Sequence, residues 1–167
     1  MKKIILTLVA VFAFGSMAFS QVSLGGRFYE GITWGGEVSL LYDLNQTNRI
    51  EADLGGNFGY MKKHVGPYDY LLSYYVVALT GSYQWQFNLI KGFGWFVGPA
   101  VQLGIGADND GDVYGRVALG AQGGVQYKFD FPLQVSLDVR PMLDMVHLNN
   151  PRSIFDLGVA AGVRYCF

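Results

Sequence analysis

The stretch Phe155-Asp156-Leu157-Gly158-Val159-Ala160-Ala161-Gly162-Val163-Arg164-Tyr165-Cys166-Phe167 alternates with a period of two. Leu157, Val159, Ala161, Val163, Tyr165 and Phe167 share one face, apolar throughout and ending in two aromatics. Asp156, Gly158, Ala160, Gly162, Arg164 and Cys166 share the other, which mixes charge with small residues. Successive side chains of a strand point to opposite faces, so the pattern predicts a β-strand with one apolar and one polar side.

The same reading holds upstream. Leu133, Val135, Leu137, Val139, Leu143 and Met145 oppose Gln134, Ser136, Asp138, Arg140 and Asp144. Before them, Val117, Leu119, Ala121, Val125, Tyr127 and Phe129 oppose Arg116, Gln122, Gln126 and Lys128. Trp95, Val97, Val101, Leu103 and Ile105 oppose mostly glycine and alanine, with Gln102 among them. Tyr75, Val77, Leu79, Tyr83, Trp85 and Phe87 oppose Ala78, Thr80, Ser82, Gln84 and Gln86. Ile50, Ala52, Leu54, Phe58 and Tyr60 oppose Glu51, Asp53 and Asn57, and Trp34, Val38, Leu40 and Tyr42 oppose Glu37, Ser39 and Asp43. The first segment is the weakest, with Leu24 and Phe28 against Ser23, Arg27 and Tyr29. That makes eight strands, an even number, as single-chain bacterial barrels have. Residues 45–48, 89–93 and 130–132 form short turns at one end. Residues 61–70, 108–113 and 148–153, with the connection near Glu30, form the other end.

Alternation alone fits a membrane barrel, apolar outside, as well as a soluble lipocalin-like barrel, apolar inside. The placement of aromatics favours the first. Tyr42, Trp85, Phe87, Trp95, Tyr127, Phe129, Tyr165 and Phe167 gather beside the short turns; Phe28, Trp34, Phe58, Tyr60 and Tyr75 gather at the far end. Two girdles of amphipathic rings are what the two interfaces of a bilayer select. From Tyr75 to Trp85 a strand at about 3.3 Å per residue, tilted about 40°, covers about 25 Å of height, the thickness of the apolar band. The polar face carries mostly Gly, Ala, Ser and Gln with few charges, which suits the inside of a narrow barrel better than a wet surface. Pro99 and Pro141 fall inside strands, and a closed barrel has no edge to hide a missing N–H, so a bulge or a local break is expected near each.

Composition agrees. Of 167 residues 51% are hydrophobic, 16% aromatic and only 15% charged, against roughly 25% charged in soluble domains. The net charge of −1 provides no electrostatic footprint for nucleic acid. Lys2 and Lys3, the apolar run from Ile4 to Gly15 and the small residues that follow read as a signal peptide over 1–20, cut after Ser20 or, alternatively, after Ala18. The barrel domain is then 21–167. Cys166 is the single cysteine, so disulfides play no part, and no cofactor is implied.

These residues resemble the small eight-stranded outer-membrane barrels of the OmpA transmembrane-domain and OmpX-like kind, over the whole of 21–167. The most specific piece is the last strand, where Leu157, Val159, Val163, Tyr165 and Phe167 resemble that group's C-terminal assembly signal. The resemblance implies an all-β, up-and-down antiparallel transmembrane barrel in the outer membrane of a Gram-negative-type bacterium. It also implies outer-membrane lipid around the barrel, and the barrel-assembly machinery and periplasmic chaperones as partners in biogenesis. Members differ in function, among adhesion, stress resistance and structural roles, and a fold does not choose between them.

The inward face is expected to hold a polar network of Arg27, Glu37, Glu51, Asp53, Arg116, Asp138, Arg140, Asp144 and Arg164, with Asp43, Lys128 and Asp156. Its reading is ion pairs filling a lumen wide enough only for side chains, rather than a conductive path. Trp34, Tyr42, Tyr75, Trp85, Trp95 and Tyr127 are the interface aromatics. Asp108-Asn109-Asp110-Gly111-Asp112 begins like a calcium loop, but Val113 and Leu119 stand where an EF-hand needs Gly and Glu, so it reads as a turn. His147-Leu148-Asn149-Asn150 faintly resembles the His-x-Ser-Asn of lipid-modifying barrel hydrolases, with Asn149 in place of the nucleophilic serine. Lys62-Lys63-His64 with Tyr68 and Tyr70 makes the outer connection best suited to touch lipid phosphates or a partner. The leading reading is a non-enzymatic outer-membrane barrel with a structural or surface-interaction role. The alternatives are a lipid-modifying hydrolase and a secreted soluble binding barrel.

Overall fold

The computed structural model describes residues 21–31, 34–65, 68–108, 111, 113–148 and 155–167. The signal peptide expected over 1–20 lies outside them. Eight strands follow in chain order: β1 (Val22–Glu30), β2 (Trp34–Asp43), β3 (Asn48–Val65), β4 (Tyr68–Ile90), β5 (Phe93–Asp108), β6 (Val113–Lys128), β7 (Leu133–Leu148) and β8 (Phe155–Cys166). Each pairs antiparallel with its neighbours in sequence, and β8 pairs with β1 to close the barrel. Closure leaves no edge within the ring, so apart from a few local breaks and bulges the ladders satisfy the backbone without help from water.

The period of two survives intact in three dimensions. Leu54, Leu79, Val101, Leu137 and Val163 point outward and are exposed, while their sequence neighbours are buried in the lumen. An exterior this apolar is unstable in water and belongs in a bilayer. At one end Trp34, Phe58 and Tyr75 form a continuous aromatic row across β2, β3 and β4, with ring centroids 5.8 and 5.1 Å apart. At the turn end Phe87 stacks on Trp95 at 4.3 Å, and Tyr127, Phe129 and Phe131 form a second row.

The turns are as tight as the sequence suggests or tighter. β4 and β5 are joined by Lys91 and Gly92 alone. Gly92 has a φ of +78°, and a Cβ there would run into the Lys128 carbonyl; only glycine fits both demands. Asn45 caps the β2–β3 turn, its Oδ1 accepting from the backbone N–H groups of Thr47 (2.9 Å) and Asn48 (2.8 Å).

The region 61–70, expected as an outer connection, is instead mostly strand. β3 runs on to Val65 and β4 resumes at Tyr68. Among the described residues β3 pairs with β2 only as far as Phe58 and β4 with β5 only from Tyr74, so there 59–65 and 68–73 pair with each other and with no barrel strand. They form a two-stranded ribbon standing beyond the rim. The period-two signal fades here because neither flank of the ribbon lies against the barrel.

Both prolines break one ladder and spare the other. Pro99 pairs with Ala121 on β6, but toward β4 the pairing skips from Ser82–Ala100 to Trp85–Val97. Pro141 pairs with Leu157 on β8, but toward β6 it skips from Gly120–Met142 to Gly123–Val139. The register resumes unchanged, so each break is the missing proline N–H and no more. Two bulges lie elsewhere: Leu89 is extra at the end of β4, and Met145 is extra on β7 opposite Val117 and Ala118.

Candidate functional site: the lumen

The lumen has three storeys. In the middle, side chains from six other strands converge on Glu51 and Asp53 of β3. Glu51 is contacted by Arg27 (3.4 Å) and Arg164, and accepts hydrogen bonds from Ser39 (3.0 Å), Gln84 (2.5 Å) and Gln122 (2.9 Å). Asp53 is shared by Arg27 and by Arg140, the latter at 2.5 Å. Arg27 also reaches Asp138 on β7 at 2.6 Å, and Glu37 lies 3.6 Å from Arg27 and 3.5 Å from Arg140. Arg164 donates through Nε to Ser39 (3.0 Å) and through Nη1 to Ser136 (2.8 Å).

None of these charges is more than 5% exposed. Taking one such ion out of water costs several kcal/mol, and only multiple partners offset it. Arginine suits the task because its planar fork serves two or three acceptors at once. Small residues provide the space: Ser39, Ser136 and Gly162 lie beside the Arg164 guanidinium, and Gly162 also faces the Arg27 side-chain stem.

The storey toward the outer end is smaller. Tyr29 donates to Asp156 (3.2 Å), and Arg116 meets Asp144 (2.5 Å) and Asp156 (3.4 Å). Gly158 leaves room for the Tyr29 ring, which a Cβ at that position would overlap. Between this storey and the centre, Ala100, Ala118 and Met142 make a small apolar patch.

The storey at the turn end is of another kind. Arg49, 2% exposed, donates through Nε to Gln84 (2.5 Å) and through Nη1 to Gln126, with the Phe96 ring 4.4 Å from its guanidinium carbon. Gln126 accepts from Gln134 (2.8 Å) and donates to Gln86 (3.4 Å), and Gln86 donates to Asp43 (3.2 Å). Above this amide chain a cavity of about 530 Å³ opens between the turns, lined by Gln21, Asp43, Asn45, Arg49, Gln126 and Lys128 among others.

Thus Arg27, Glu37, Glu51, Asp53, Asp138, Arg140 and Arg164 come together as one cluster, while Arg116 and Asp144 sit apart from it in the outer storey. Trp34, Tyr42, Tyr75, Trp85, Trp95 and Tyr127 all point outward. Leu157, Val159, Val163 and Tyr165 lie on the outer face of β8, with Phe167 just past its end. Sequence reading misses Arg49, which looks like the edge of a turn, although extending the inward parity of Glu51 by one step finds it. It also misses Leu41 and Met142, inward and almost wholly buried, because apolar residues on a polar face carry no signal of their own. The side chains of Lys62, Lys63, His64, Tyr68, Tyr70 and His147 lie outside the described residues. So do Asn109, Asp110, Asp112 and residues 149–154. Among the described residues no group of acidic, His and Cys side chains is arranged to hold a metal ion.

No family model matches the chain, and no curated protein matches its sequence. Solved structures do match. Neisserial surface protein A is similar over 87% of this chain and 96% of its own, at 15% identity and a TM-score of 0.69. A major outer membrane protein from Thermus thermophilus is similar over 87% and 98%, at 13% identity and a TM-score of 0.58. Ail, the attachment invasion locus protein of Yersinia pestis, crystallised with the heparin analogue sucrose octasulfate, is similar over 87% and 96%, at 10% identity and a TM-score of 0.53. The fold is that of the small eight-stranded outer-membrane barrels.

Proposed function

We propose that this chain is a non-enzymatic outer-membrane barrel with a structural or surface-interaction role, its lumen closed by its own side chains. The observation that carries the reading is the middle storey. Arg27, Arg140 and Arg164 bridge carboxylates from β2, β3 and β7 across the full width of the barrel, and none is more than 3% exposed. An eight-stranded barrel is only wide enough for such a filling, and a permeant ion would have to displace several charge-assisted contacts at once. Single-channel recording in planar bilayers is the test. The expected trace is flat at physiological salt; regular conductance steps from the pure protein would overturn the closed-lumen reading.

The surface part of the role rests on the ribbon of 59–65 and 68–73. It continues β3 and β4 past their last described pairings with β2 and β5, and its sequence carries Lys62, Lys63 and His64. Two strand edges without a partner among the described residues and a basic run suit contact with lipid phosphates or another polyanion, and the Ail structure was solved with such a polyanion bound. Replacing Lys62 and Lys63 by Gln is expected to lower adhesion to heparin or to lipopolysaccharide-containing vesicles without changing barrel stability. In biogenesis, Leu157, Val159, Val163, Tyr165 and Phe167 serve as the strand the assembly machinery engages, after periplasmic chaperones have held the chain.

A further inference from the structure

Every arginine of the middle storey meets carboxylates directly; Arg49 meets none among the described residues. Its partners are the neutral amides of Gln84 and Gln126 and the face of Phe96. Its hydrogen bonds among the described residues leave from Nε and Nη1, none from Nη2, and Arg49, only 2% exposed, lines the cavity at the turn end. A guanidinium costs several kcal/mol to bury, and this one keeps donor capacity beyond its bonds to Gln84 and Gln126 at the wall of an open polar chamber. The amides around it are not free to turn and serve it, since Gln134, Gln126, Gln86 and Asp43 are already linked in a chain.

We infer that this chamber is a binding site for a small monoanionic solute rich in hydroxyl or amide groups, its carboxylate pairing with Arg49 Nη2. The size is right: about 530 Å³ lies within the range of small-molecule sites, roughly 300–1,000 Å³. Charge decides the valence. Asp43, Arg49 and Lys128 line the chamber, one negative against two positive. Part of the Arg49 charge is offset from below, because Gln84 bridges Arg49 to Glu51. What remains suits one negative charge and disfavours two or three. The rest of the lining is mainly amide, with Gln21, Asn45, Gln86, Asn88, Gln126 and Gln134 among it, paired donors and acceptors that match neutral hydroxyls and amides. The short turns face the periplasm in barrels of this kind, so the solute is a periplasmic one.

The barrel folded in lipid nanodiscs, followed by NMR through the side-chain amides of Gln126 and Gln134, tests this. Gluconate (a monoanionic polyol) is expected to give saturable shifts, and sorbitol (its neutral counterpart) to bind about tenfold more weakly, the worth of a charge-assisted hydrogen bond. Arg49→Gln is expected to abolish the preference for gluconate. Should that variant fail to fold, Gln126→Glu provides Arg49 with an internal carboxylate, keeps its hydrogen bond, and is expected to compete the ligand out. Lys128→Gln, at the solvent side, is expected to weaken gluconate about threefold by lowering the local potential. Absence of saturation with gluconate, equal binding of sorbitol, or undiminished binding in Gln126→Glu would each overturn the proposal.

Discussion

Glu51 and Arg49 stand two residues apart on β3 and face the same lumen, yet they belong to different kinds of interior. Glu51 is enclosed by two arginines, a serine and two glutamines. Arg49 rests on two amides and a ring, with an open chamber beyond. The middle of the barrel is held by interlocked charge. The turn end is held by backbone: Phe167 donates to Val22 (3.0 Å), Cys166 to Pro132 (3.2 Å) and Lys128 to Gly92 (2.7 Å). Where the ladders already fix the geometry, side chains are free to leave a cavity. Where the barrel must be sealed, they are not.

The largest effect expected from this division is on closure. Deleting residues 165–167 removes the Leu24–Tyr165 and Leu133–Tyr165 pairings together with both terminal backbone bonds. Membrane-inserted protein, read as the heat-modifiable band after fractionation, is expected to fall below detection. Normal levels of the truncated barrel would show that the turn end does not depend on its last strand.

Within the lumen the two storeys are expected to respond unequally. Glu51→Ala strands Arg164 and deprives Arg27 of one partner, a loss of about 3–5 kcal/mol for a broken buried pair. Arg49→Gln removes hydrogen bonds from a charged group to amides and is expected to cost about 1–3 kcal/mol. Urea unfolding in lipid vesicles measures both. Equal losses would erase the distinction between a sealed centre and a loose mouth.

That distinction is only half legible in the sequence. Period two places Glu51, Asp53, Asp138, Arg140 and Arg164 on the inner face, since strand geometry forces alternate residues inward whatever their neighbours are. Which of them meet cannot be read, because Arg27 and Asp138 are 111 positions apart and their contact depends on shear and register around the whole ring. Arg49 stands where alternation has only just begun, and polar residues there look like loop. The ribbon of 59–65 and 68–73 reads as a connection for the same reason in reverse: outside the barrel, alternation no longer separates lipid from lumen. The glutamines at the turn end are visible as inward residues, but a cavity is a property of what is missing between side chains, and no single residue signals it.

The outer surface allows the comparison to be repeated in lipid. Leu79 lies outward at mid-height between the two aromatic rows, and Ile90 lies outward at the turn edge, 71% exposed. A lysine at the bilayer midplane costs about 2–4 kcal/mol, and near the interface about 0–1. Leu79→Lys is therefore expected to lower unfolding stability by several times more than Ile90→Lys. The reverse order would place the membrane elsewhere on the barrel.

The smallest effect belongs to the tips of the turns. Lys91 and Asp130 form an ion pair at 3.1 Å, but their side chains are 86% and 84% exposed. In water at this distance the attraction is about 1 kcal/mol before screening, and ordering two mobile side chains consumes most of it. Asp130→Asn is thus expected to leave the unfolding midpoint unchanged at both low and high salt. The pair touches neither the lumen nor the lipid belt, and Gly92 already sets the turn through its positive φ and its bond from Lys128. A clear loss of stability at low salt alone would mean that charge, and not backbone geometry, fixes the β4–β5 turn. The contrast between a centre held by ion pairs and an end held by its ladders would then fail at its simplest point.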